Sequence, residues 1–279
     1  MLAKLMKYEV KATARWFLPL YVSVLLFALI NKFTWYGPFM ENKFSFTDSS
    51  INNPALSGNS FVPVIKGIMS SLFMFIYVML FVGLFVATLI VVIQRYYKSL
   101  LGDEGYLMFT LPVNAWQHIL NKLVISALWC LLSSIVGICS ILILIPREAL
   151  QELPYAFARV KEFIGVSGIV IFVLGAVTSL VLGILKIYSA ISLGHLFNKY
   201  KLLLSFVMYL AIDAITQVVW MLITVFSVNI SLNKIDFASM SNLHQVKYVF
   251  AALTVLNVVF SAGHFLLTSY LVKRRLNLE

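Results

Sequence analysis

Six stretches of this chain are uniformly apolar over lengths that ordinary core helices rarely reach. They run approximately over residues 16 to 36, 67 to 94, 122 to 145, 164 to 195, 202 to 228 and 247 to 272. About 20 apolar residues carry a helix across the hydrocarbon core of a bilayer, and each stretch meets that length. None alternates with the two-residue period of a barrel strand, so the pattern predicts an all-α integral membrane protein with six transmembrane helices. No long polar stretch separates the spans. The whole of residues 1–279 therefore reads as one transmembrane domain with modest connections and no room for a soluble catalytic domain.

Ahead of the first span, Lys4, Lys7, Lys11 and Arg15 recur at three- and four-residue spacing, with Leu2, Leu5 and Met6 on the opposite face. This spacing predicts an interfacial amphipathic helix over residues 1–15, with Pro19 breaking the turn into the span. A plain positive flank that fixes orientation is an equal alternative. Although the charges resemble the start of a signal peptide, no small-residue cleavage site follows before Asn31 and Lys32, so the segment is expected to stay as an anchor.

Composition sharpens the membrane reading. Of 279 residues, 61% are hydrophobic and 11% charged, against about a quarter charged in soluble domains. Mean hydropathy is +0.95, an apolar surplus that must face lipid. The net charge of +10 could suggest nucleic acid, but its distribution explains it by topology, so no nucleic-acid partner is expected. The side holding the N-terminus carries twelve Lys and Arg against four acids, and the opposite side eight against six. Both termini are accordingly expected to be cytoplasmic. Cys130 and Cys139 lie nine apart in one apolar run, on largely different faces, which suits neither a disulfide nor a metal site.

Catalytic signatures are scarce: the chain has no GxxxxGK[ST], HExxH, GxSxG or CxxC. It is not expected to hydrolyse ATP itself, to act as an enzyme or to bind a metal, and His118, His195, His244 and His264 are scattered over loops and spans. Two charges fall inside spans, Lys186 and Asp213. They lie about 12 and 14 residues from the turn between the fourth and fifth spans, which at 1.5 Å per residue places them at comparable depth. A structural ion pair across this hairpin is expected, with contact to a polar substrate or proton as the alternative.

The connection between the second and third spans, QRYYKSLLGDEGYLMFTLPVNAWQHILNK from Gln94 to Lys122, is unlike ordinary linking sequence. A GDEG turn precedes an apolar YLMFTLPV segment too short to span, and Asn114 can cap the helix carrying Trp116 and His118. Beside Asp103 and Glu104, such a segment suits docking. Together with the opening KYEVKATARWFLPLY from Lys7 to Tyr21, the YYKSLLGDEGYLMFTLPV stretch from Tyr96 to Val113 resembles bacterial ABC transporter permease subunits of the type-2 export family.

The resemblance covers the whole chain in topology and about the first 120 residues in motif. It implies an interfacial N-terminal helix and a coupling helix docking into a separate cytoplasmic ATPase, which would bind the ATP and magnesium. Carried over, Gly102, Asp103, Glu104, Gly105, Tyr106, Phe109, Thr110, Leu111 and Pro112, with His118, would form the ATPase contact. The turn holding His195, Lys199 and Lys201 would form a second, smaller one. The implied assembly pairs two permease chains, identical or paralogous, with two ATPases in the bacterial cytoplasmic membrane, exporting a hydrophobic or amphipathic peptide, drug or lipid. A membrane sensor or immunity protein, and then an intramembrane enzyme using Asp213, are the other readings.

Two further segments carry weaker expectations. Pro146 to Phe163 alternates charges with Leu150, Leu153, Tyr155 and Phe157 and reads as a helix on the outer surface, a lateral gate or a mere connector. Asn229 to Gln245 is polar enough to match weakly the re-entrant hairpin that family members often place before the last span.

Overall fold

The computed structural model describes residues 2–36, 61–98, 115–197, 199–234 and 242–274. These form six helices: α1 (Leu2–Tyr36), α2 (Phe61–Tyr96), α3 (Ala115–Leu144), α4 (Arg147–Gly194), α5 (Lys201–Lys234) and α6 (Asn242–Arg274). All six are long and apolar enough to cross a membrane, and no described residue lies in a strand. Each predicted span falls within one helix, apart from its last residue at 145 and at 195. Residues 99–114, and with them the proposed coupling contacts Gly102 to Pro112, lie outside the described residues.

One expectation is corrected at the N-terminus. Pro19 lies inside α1 and does not break it, so residues 2–15 and the first span form one continuous helix. A proline ring costs a helix one hydrogen bond, and here it points to the exposed side, away from packed neighbours. Buried positions Thr13, Phe17, Val24, Ala28 and Asn31 follow one another at intervals of four, seven, four and three, a single inward face along the whole helix. Lys11 and Arg15 are exposed beside it.

From Arg147 to Phe163 the chain is helical, as its charge pattern suggests, but this helix runs into the fourth span as part of the 48-residue α4. The bend falls at Gly165, whose φ of 71° and ψ of 166° break the helical geometry and suit glycine. Near the other end of the chain, α5 stays helical through Lys234 and α6 begins at Asn242, leaving only 235–241 of the weakly matched hairpin outside the description.

Sequence alone suggested one domain; by packing, the helices divide into two compact units, with residues of α2, α3 and α4 in both. The first unit comprises Ala3–Leu89 and Leu131–Leu153. Val24 and Ala28 of α1 pack there with Tyr77 and Leu84 of α2, flanked by Val136 and Ile143 of α3. Lipid is as apolar as leucine, so polar bonds between helices matter more than in a water-soluble core. Thr88 donates to the Leu84 carbonyl at 2.7 Å, so Ser133 must donate to Thr88 and Tyr21 to Ser133, a directed relay across three helices. Tyr77 similarly donates to Ser140, whose own proton goes to the Gly137 carbonyl. Asn31 ties α1 to α2 by donating to the Phe73 carbonyl at 3.0 Å.

The second unit comprises Ile90–Cys130 and Pro154–Glu279. Its core gathers Val92 and Tyr96 of α2, Ile119 of α3, Ile184, Leu185, Tyr188 and Ile191 of α4, and Val272 of α6. Tyr96 and Tyr188 stack with ring centroids 4.0 Å apart, and their hydroxyls bond Ser192 at 2.6 Å and Ser126 at 2.8 Å. A short turn, 195–200, returns the chain from α4 to α5; Tyr200 adopts a φ of 56° there, a left-handed conformation unusual for tyrosine.

Close approach at that hairpin requires glycine. A Cβ on Gly194 would lie 2.6 Å from the Ser205 backbone, which cannot step aside as a flexible side chain could. Gly194→Ala is expected to destabilise the protein by about 1–3 kcal/mol, the usual cost of overpacking, read as a lower thermal midpoint in detergent. An unchanged midpoint would show that the two helices part freely here.

Candidate functional site

The polar groups of the second unit converge inside the apolar spans. Lys186 on α4 lies one turn past Leu182, on the face that meets α5, and its Nζ donates to Asp213 Oδ1 at 2.8 Å. The structure thus brings together the two charges whose depths match across the hairpin. Gln217, one turn beyond Asp213, donates from Nε2 to Oδ2 at 2.8 Å. Both carboxylate oxygens are thus engaged, and Asp213 is held as the ion-pair partner of Lys186. Side-chain exposures of 13% for Lys186 and 31% for Asp213 put the pair at the edge of the packed interior.

A serine links this pair to α6. Ser189 donates to the Lys186 carbonyl at 2.9 Å and lies 3.1 Å from His264 Nδ1. Its single proton being used, Ser189 accepts from His264, which assigns the Nδ1–H tautomer and leaves Nε2 as an acceptor. Next to Lys186 opens a cleft of about 490 Å³, lined by Leu182, Lys186, Thr216, Gln217, Val218, Trp220, Met221 and Asn257.

Sequence reasoning missed Gln217, Asn257 and His264 as members of one cluster. Gln217 had a signal, since it follows Asp213 by one helical turn. For Asn257 and His264 the only sign was polarity within an apolar window; their convergence depends on how α6 packs, which no local pattern encodes.

The remaining candidates are spread out. His118, grouped with the ATPase contacts, is 3% exposed and faces the interior of its unit from α3, so it is removed from that surface. The apolar face of α3, with Ile119 and Ile125, carries it inward. Lys122 is likewise buried at 2%. Lys4 and Lys7 lie within α1. Neither Cys130 nor Cys139 forms a disulfide among the described residues.

In the turn between α4 and α5, Lys199 is exposed and Lys201 half-buried. His195 donates from Nδ1 to the Ile191 carbonyl at 2.9 Å and meets the Tyr97 ring edge-on at 5.1 Å. Burial pulls the His195 pKa below the ordinary imidazole value; the Ile191 bond opposes this and the Lys201 charge adds to it. A base depressed on folding binds fewer protons folded than unfolded, so its stabilising share is complete above about pH 6.5 and is lost as pH falls below that. Thermal midpoints in detergent should therefore fall between pH 7.5 and 5.5, and fall less steeply in His195→Gln. Equal slopes would assign the acid sensitivity elsewhere.

No family model, curated protein or solved structure matches the chain. Six helices long and apolar enough to span a bilayer mark the chain as a multi-pass helical membrane protein.

Proposed function

We propose that this protein is the permease subunit of an ATP-binding cassette exporter in the bacterial cytoplasmic membrane, with both termini cytoplasmic. It would work as a pair of permease chains with two cytoplasmic ATPases, which bind ATP and magnesium, and export a hydrophobic or amphipathic substrate.

The observation that carries this reading is the length of the helices framing the GDEGYLMFTLP segment. At 36 and 30 residues, α2 and α3 measure about 54 and 45 Å, against about 30 Å of hydrocarbon. Tilt absorbs part of the excess, and the remainder carries stiff helix beyond the membrane. Just before the segment α2 ends in a π-helical turn at Tyr97–Lys98. Force from ATPase closure must enter through such an element, continuous with the spans. ATP binding closes the ATPases, the segment moves α2 and α3, and the interface between permease chains opens from inward to outward.

Co-expression with the ATPase encoded beside it tests the proposal. A stable complex of the two in detergent is expected. Purification of this chain free of any ATPase would overturn the proposal. A ligand-holding membrane protein without transport is the second reading, and the cleft at Lys186 favours it, since binding there needs no ATPase.

A further inference from the structure

We propose that the cleft beside Lys186 binds an anionic amphiphile, a hydrocarbon chain ending in a phosphate or carboxylate head, held near the middle of the bilayer. Asp213 takes one of the three donors of the Lys186 ammonium. Among the described residues the other two have no partner, and neither do the Asn257 side-chain amide nor the Trp220 indole N–H. The Thr216 proton is spent on the Ile212 carbonyl, and one Gln217 amide proton on Asp213. What remains at the cleft are two ammonium protons of the ion-paired Lys186 and the amide protons of Asn257 and Gln217, beside their amide oxygens, and a head carrying several anionic oxygens can accept from these donors together. Leu182, Val218 and Met221 supply an apolar wall for the chain of the same molecule.

Depth separates such a ligand from ordinary bilayer lipid. Lys186 is eight residues before the end of α4 and Asp213 twelve after the start of α5, or about 12 and 18 Å along the helices. The middle of a 30 Å core lies about 15 Å in, whereas bilayer lipids keep their heads at its surface. An anion at Lys186 has therefore left the lipid register. This inference goes beyond the permease reading and does not depend on it, because it concerns binding to this chain alone.

Titration of the purified full chain in maltoside detergent with dodecyl phosphate tests it, alongside inorganic phosphate, dodecanol and dodecyltrimethylammonium. Saturable binding of dodecyl phosphate alone is expected. It should weaken at least tenfold in Lys186→Gln with Asp213→Asn, which removes the ammonium without stranding a charge. Asn257→Leu keeps the ion pair intact and should weaken binding several-fold, so it carries the test if the double variant does not fold. Binding of dodecyltrimethylammonium as tight as that of dodecyl phosphate, or binding unchanged in Asn257→Leu, would overturn the proposal. Inorganic phosphate binding equally tightly would make the site one for a free anion and refute the amphiphile.

Discussion

Removing the charge of Asp213 alone, as Asp213→Ala, is expected to cost about 3–5 kcal/mol of stability, because Lys186 is left ionised among apolar helices without its partner. Lys186→Ala should cost a similar amount from the other side, because the Asp213 carboxylate is then left with only the Gln217 amide as a donor. Replacing both with apolar residues, Lys186→Met with Asp213→Leu, should bring stability back to within about 1 kcal/mol of wild type, since the penalty for the buried charges disappears with the pair. Exchanging the charges, Lys186→Asp with Asp213→Lys, should recover most of what either single reversal loses. The readout is unfolding of the detergent-solubilised chain. A swap no better than the singles would mean that the two residues act separately despite their 2.8 Å contact.

Tyr188→Ala is the second large effect, at about 3 kcal/mol or more. The ring is fully buried, stacks on Tyr96 at 4.0 Å, and its hydroxyl meets Ser126 at 2.8 Å. Little of this energy is hydrophobic in the aqueous sense, because the unfolded chain in detergent is also in an apolar medium. What the substitution removes is contact: a cavity opens, Tyr96 loses its stacking partner, and the Ser126 hydroxyl loses a hydrogen bond. Tyr188→Phe keeps the stack and should cost only about 1 kcal/mol, the usual value of one hydrogen bond. If Phe and Ala proved equally damaging, the hydroxyl and not the ring would hold this core together.

The spans were legible because lipid imposes a length and composition rule that each segment obeys independently of the others. The Lys186–Asp213 contact was legible for a related reason: one short turn joins two antiparallel helices, so counting residues from the turn fixes both depths. Pro19 misled because the rule that proline ends helices weighs a lost hydrogen bond, whereas a long apolar helix with an outward-facing ring absorbs that loss. His118 misled because its neighbours in sequence pointed to a surface segment, while the apolar face of α3 decided its direction. The cleft was not legible at all. It depends on α6 bringing Asn257 towards α4 and α5, and helix packing in lipid turns on shape and scattered hydroxyls that leave no period in the sequence.

ATP hydrolysis by the proposed permease–ATPase complex tests the proposed coupling role of residues 102 to 112 most directly. With the partner ATPase bound, Glu104→Lys combined with Phe109→Ala should leave the complex intact and lower permease-stimulated hydrolysis about tenfold, a loss of about 1.4 kcal/mol in the coupled step. Stimulated hydrolysis at the wild-type rate in that variant would contradict transmission through residues 102 to 112, and with it the proposed mechanism.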